Sequence, residues 1–214
     1  MGIIGKGILG GFSGKVGTVI GATWKGIDYM KSRPPARGNA DASQKQLAQQ
    51  AKFSLAMKFI TTLSSLFQIS YRNYAIGKTG TNSAFSYLLT EAIAGSYPDF
   101  SIDYSKMLMS RGQLPNASAP AATAAAGGDI VFTWTDNTGI SSSKASDQAM
   151  LVIYCPALKT ALYTTGSAMR NSGTDKLDAM IFAGHLVETY IGFISEDGKK
   201  VANSIYTGQH TVLS

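Results

Sequence analysis

One cysteine, two histidines and only 15% charged residues occur in this chain of 214. The single Cys155 precedes Pro156 in an apolar stretch. It leaves no disulfide framework and is read as a small buried hydrophobe. His185 and His210 stand far apart, without Cys or acidic residues at ligand spacing. A zinc site or a Ser-His-Asp constellation is therefore not expected. Asp99 and Asp103 fall in an expected strand or turn, not on one helical face. Glu196-Asp197-Gly198 lacks the ligand series of a calcium loop and reads as a hairpin turn. We expect no catalytic residue, no metal ligand and no cofactor: a protein that is not an enzyme. No apolar run reaches the roughly 18 residues that a membrane helix needs. Lys6 and Lys15 interrupt the apolar N-terminal stretch, and no small-residue cleavage site follows. Without a signal peptide, the expected location is the cytoplasm or an assembled particle or appendage.

Glycine, by contrast, is concentrated at one end. Ten glycines fall between Gly2 and Gly38, mixed with Ile, Val, Leu, Phe and Trp. Such a segment is too apolar to stay solvated, and its glycines lose too much backbone entropy for it to fold readily alone. Gly5-Lys6-Gly7-Ile8-Leu9-Gly10 matches a dinucleotide-binding pattern, but no strand precedes it and no helix follows. Gly14-Lys15 lacks the Ser or Thr that a phosphate loop places next, because Val16 is there. Five glycines between Gly2 and Phe12 oppose an interfacial helix. Extended chain fits better. Val16, Thr18, Ile20, Ala22 and Trp24 share one parity, with Ile27 and Tyr29 beyond, so two strands joined near Gly21 are expected. They form either a hairpin on their own domain or an arm that adds a strand to a neighbour.

Charge is divided unevenly. Residues 1–38 carry six Lys/Arg against Asp28, a net +5; residues 39–95 carry +3; residues 96–214 carry eight basic against ten acidic groups, −2. That asymmetry suits contact between subunits, or a basic arm facing nucleic acid.

The chain divides into a Gly-rich basic β arm and linker (1–40), an αα-hairpin (41–96) and a β-sandwich (97–214). Pro34, Pro35, Gly38 and Asn39 mark the linker. Asp41 and Gln44 resemble a capping box opening a helix of about seven turns. Its stripe is Leu47, Ala51, Leu55, Phe59, Leu63 and Phe67. Tyr71-Arg72-Asn73-Tyr74 reads as its solvated end. Asn82 caps a second helix carrying Phe85, Leu88, Leu89, Ala92 and Ile93. Phe100, Ile102 and Tyr104 then alternate. Leu114 to Gly128 reads as a loop rich in Ala, Pro and Gly, and the glycosylation pattern at Asn116 as chance. Strands are expected over 129–135, 148–154, 159–164, 176–182, 187–194 and 199–207. The fold class is α+β: an extended arm or hairpin, an αα-hairpin and an immunoglobulin-like antiparallel sandwich.

Ile130 to Trp134, Tyr190 to Ile194, the Glu-Asp-Gly turn and a closing strand resemble a fibronectin type III or immunoglobulin-like module. That resemblance implies Phe132, Trp134 and Tyr190 as sandwich core, Trp134 on an early strand and Tyr190 on the penultimate one. Gly11-Phe12-Ser13-Gly14-Lys15-Val16-Gly17, Trp24-Lys25-Gly26, Ser32-Arg33-Pro34 and Val201 to Tyr206 resemble an uncharacterised bacterial family of the Bacteroidetes type, which implies a shared fold and no established activity.

These features point first to a structural protein that self-assembles into a filament, tube, fibre or virion component. Copies of itself, and other structural subunits, would be its partners. Ile3, Ile4, Ile8, Leu9, Phe12, Val16 and Trp24 of the arm would make the contacts between subunits. The second reading is a nucleic-acid-binding protein using the basic arm. The third is an adhesin-like module binding ligand through sandwich loops.

Overall fold

The computed structural model describes residues 2–4, 10–24, 26–33 and 42–213. These fall into two compact units, one to Gln44 and one from Lys45 onward. Ile8, Leu9, Asp41 and the linker prolines lie outside the described residues.

The first unit is one antiparallel sheet of four strands in chain order: β1 (Ile3–Ile4), β2 (Phe12–Val16), β3 (Val19–Trp24) and β4 (Ile27–Ser32). Its turns fall at Gly17-Thr18 and at Gly26, not near Gly21 as the parity of the sequence suggested. Gly17 and Gly26 have φ of 59° and 81°, which only glycine adopts cheaply. Gly21 instead sits inside β3, where a Cβ would collide with the Phe12 carbonyl. The turn at Gly17 also breaks the expected parity. Val16 pairs with Val19 and so faces away from Ile20, Ala22 and Trp24.

The second unit has three layers. Helices α1 (Gln44–Thr62), α2 (Ser64–Ser70) and α3 (Gly80–Glu91) form the outer one. The expected seven-turn helix is broken at Leu63, whose φ and ψ are −115° and 20°. The stripe survives the break, and Phe59, Leu63 and Phe67 are fully covered. The α3 cap is Thr79, whose hydroxyl accepts from the Asn82 amide at 3.1 Å, so Asn82 lies inside the helix rather than at its cap. A short hairpin follows, β5 (Ile93–Ser96) and β6 (Asp99–Ile102).

The other two layers are a sandwich of seven strands: β7 (Ser118–Ala124), β8 (Asp129–Thr135), β9 (Gln148–Cys155), β10 (Thr160–Tyr163), β11 (Thr174–Asp178), β12 (Leu186–Ile194) and β13 (Ile205–Thr211). One sheet runs β10-β9-β12-β13 and the other β11-β8-β7, all antiparallel. Three strands on four in this order is the arrangement of a fibronectin type III sandwich. β7 falls where a loop was expected. Its sequence, Ser-Ala-Pro-Ala-Ala-Thr-Ala, has little strand propensity, and pairing with β8 supplies what the residues do not. The strand expected over 176–182 is β11, which starts at Thr174 and stops at Asp178, before a helical turn at Met180–Phe182. The last strand starts at Ile205, because Val201 and Ala202 make only isolated bridges to Ile194 and Leu114.

The central strands explain why helices and sandwich form one unit. Ile130, Phe132, Leu151, Ile153, Val187, Ile191 and Phe193 fill the space between the two sheets. Val152, Tyr154 and Tyr190, on the other face of the four-stranded sheet, join Phe59, Leu63, Phe67 and Leu88 of the helices. β9 is therefore covered on both faces, and it reads in sequence as an unbroken apolar run, Ala-Met-Leu-Val-Ile-Tyr-Cys.

Candidate functional site

The N-terminal sheet is too thin to hide its own side chains. In β3 and β4, Trp24 lies opposite Ile27, Ala22 opposite Tyr29, and Ile20 opposite Lys31. Lys15 of β2 is opposite Ile20, and Ile3 of β1 is opposite Ser13. Directly opposed residues share a face, so Ile3, Lys15, Ile20, Ala22, Trp24, Ile27, Tyr29 and Lys31 all lie on one side. The other side carries Phe12, Val16, Val19 and Met30. Ile3, Val16, Trp24, Ile27 and Met30 expose 74, 55, 62, 65 and 70% of their area, and Tyr29 is also open. Trp24, Ile27 and Tyr29 line one shallow apolar depression. The two outer strands, β1 and β4, each keep one row of backbone donors and acceptors that no strand of this sheet takes up.

The sequence residues assigned to the arm thus distribute unequally. Ile3, Val16 and Trp24 present open apolar area. Phe12 is half-buried against Gly21. Ile4 is in β1, and its side chain is outside the described set, as are Ile8 and Leu9. Ile27 and Tyr29 share the face of Trp24, and Met30 lies on the opposite face with Val16; none of the three was assigned to the contact from sequence. Their signal was the pairing register, which the misplaced turn concealed.

The core assignments divide as well. Phe132 and Trp134 lie between the sheets; Tyr190 is equally buried but faces the helices. Its hydroxyl donates to the Tyr104 carbonyl at 2.8 Å. The expected solvated end of the first helix is in fact anchored. Tyr71 is fully buried and donates to the Leu108 carbonyl at 2.8 Å, and Arg72 Nη1 donates to the Gly198 carbonyl at 2.7 Å. Arg111 lies over the Tyr74 ring at 4.4 Å.

Two polar clusters escaped the sequence reading, because their members are far apart in the chain. Arg170 and Asp147 form an ion pair at 3.1 Å with both side chains fully covered. Arg170 also donates to Asn137 Oδ1 at 2.7 Å and to the Pro115 carbonyl at 2.8 Å, and its guanidinium sits 4.3 Å from the Phe193 ring centre. Burial lowers the Arg170 pKa, and Asp147 opposes that. On the helix-facing side of the sheet, Glu188 accepts from the Tyr206 hydroxyl at 2.6 Å and from Gln209 Nε2 at 2.9 Å. Both clusters have their hydrogen bonds satisfied, and neither holds a nucleophile beside a base. Among the described residues, no three His, Cys, Asp or Glu side chains come together as a metal group. No helix among them is long and apolar enough to cross a membrane.

A model of a family of unknown function, DUF6266, matches residues 11–208. No curated protein matches. Among solved structures, the fn3 domain of the human collagen alpha-1(XX) chain is similar at 16% identity and a TM-score of 0.34, over 49% of this chain and 91% of that one.

Proposed function

This chain belongs to the family of unknown function DUF6266, and from that premise we propose that it is a non-enzymatic structural protein whose N-terminal sheet joins copies of itself into an assembly. The observation that carries the reading is the pair of open apolar faces on a sheet whose outer strands, β1 and β4, each keep an edge that no described strand takes up. A sheet of this kind has too little side-chain volume to build an interior from its own residues. Pairing with a second sheet buries Trp24, Ile27 and Tyr29, and each large apolar side chain moved out of water contributes about 1.5–3 kcal/mol. Free strand edges add backbone hydrogen bonds that set register. A contact that does not close on itself would repeat into a filament or tube; one that closes would give a ring or a particle shell.

Light scattering of the full-length chain across micromolar concentrations tests this. A mass above one 22.6 kDa chain is expected, falling towards a single chain when Trp24, Ile27 and Tyr29 are all changed to Thr, which keeps strand propensity and removes the apolar area. A single-chain mass for the unaltered protein overturns the proposal.

One observation favours a second reading. Lys15 and Lys31 share a face with Trp24 and Tyr29, and aromatic rings interleaved with lysines suit stacking on single-stranded nucleic acid. Its signature is binding to generic oligonucleotides that weakens steeply with salt.

A further inference from the structure

We infer that the cleft between α1, the β5–β6 hairpin and the β9–β10 turn binds a small organic carboxylate with an aromatic body. The cleft encloses about 420 Å3, within the range of small-molecule sites. Phe59, Phe100, Ile102, Tyr104 and Tyr154 form its apolar wall, and Lys58 and Lys159 stand among its lining residues. Phe59 and Tyr154 meet edge to face with ring centres 4.9 Å apart, and Tyr104 lies 5.6 Å from Tyr154. The wall is therefore a packed aromatic cluster whose inclined rings offer both edges and faces to a ligand ring. Burial raises the pKa of both Tyr104 and Tyr154, so both phenols stay neutral.

The charge is of one sign. Among the described residues, no acidic one lines the cleft. Asp99 alternates with Phe100 on β6 and is exposed on the other side of that strand. Asp103 is engaged by Lys106 at 3.1 Å and by Ser105. Glu188 is held by Tyr206 and Gln209. Lys52, between the lining residues Ala51 and Ser54 of α1, lies over the Phe100 ring at 4.8 Å. Lysines at an apolar opening with no carboxylate among the lining residues favour an anion.

Lys159 gives an independent indication. It holds φ at 51°, a conformation that Gly or Asn adopts more cheaply. Its carbonyl accepts from Thr62 of α1 at 3.4 Å. The backbone at Lys159 is thus tied to the helix that forms the other wall, and Lys159 is among the residues lining the cleft. The charge of the lining lysines argues against the basic sheet of a second copy as occupant, since Lys15 and Lys31 flank its apolar patch.

The test is a protein-observed NMR titration of the full-length chain with phenylacetate, benzyl alcohol and benzylamine. Phenylacetate is expected to shift the signals of Phe100, Tyr104 and Tyr154, with benzyl alcohol weaker and benzylamine silent. Lys58→Glu combined with Lys159→Glu should weaken phenylacetate about tenfold or more, the equivalent of a lost charge contact, while Lys58→Arg with Lys159→Arg retains it. Both lysines are exposed, so an unchanged melting temperature confirms that the variants fold. Equal responses to the three probes, no response, or shifts confined to the N-terminal sheet would each overturn the assignment.

Discussion

The Trp134 indole N–H donates to the backbone carbonyl of Arg170 at 2.7 Å. The ring thus ties β8 to the segment whose guanidinium closes the end of the sandwich. The ring also meets Phe193 edge to face at 5.5 Å within the sandwich core. Trp134→Ala removes a buried aromatic from between the sheets and is expected to cost about 3–5 kcal/mol. Trp134→Phe keeps most of the area but leaves the Arg170 carbonyl without that donor, an expected loss of about 1–3 kcal/mol. Denaturant unfolding of both variants measures the two contributions separately.

Arg170→Met leaves Asp147 covered and without its cation. The Lys144 amide, which donates to the carboxylate at 2.8 Å, remains as a partner. A loss of about 3–5 kcal/mol is expected, because a buried charge without its counterpart keeps its desolvation cost. Removing the charge as well, in Arg170→Met with Asp147→Asn, should restore part of that. A thermodynamic cycle over the two single variants and the double variant reads the coupling; additive losses would show that the pair is not a unit.

Alkaline pH should unfold the protein through its tyrosines. Burial raises the pKa of Tyr71, Tyr190 and Tyr104 well above the ordinary 10.0. A raised folded pKa means that the contribution is complete below the unfolded value and is lost as pH climbs through the folded one. Stability should therefore be flat with respect to these groups below pH 10 and fall steeply above it. Ultraviolet titration of the phenolates should show several tyrosines ionising only as circular dichroism reports unfolding. Phenolates that titrate at ordinary pH in a folded chain would mean that these rings are open to solvent.

Trp24 can report assembly directly. The chain has two tryptophans, so Trp134→Phe leaves Trp24 as the single emitter. At low concentration its emission is expected to be that of a water-exposed indole, and to move to shorter wavelength as light scattering registers association. Emission that stays constant while the mass rises would place the contacts away from the N-terminal sheet.

The sequence by itself was enough for the sandwich strands whose residues carry their own propensity. β8 and β12 alternate or run apolar with Val, Ile, Phe, Trp and Tyr, and Phe132, Trp134 and Tyr190 are buried as that pattern requires. The helical stripe from Leu47 to Phe67 was legible for the same reason: side chains four apart share a face. Other features needed the folded chain. β7 has the composition of a loop and becomes a strand through its pairing with β8. The break at Leu63 and the burial of Tyr71 follow from docking the helices on β9 and β12. The turn at Gly17, which decides the face that Val16 shares, rests on one backbone conformation that parity counting cannot register. Arg170 and Asp147 are 23 positions apart, and the cleft gathers residues from Ala51 to Lys159. Local propensity acts over a few residues, while burial and charge pairing act between whichever surfaces the topology brings together; only the tertiary structure decides those.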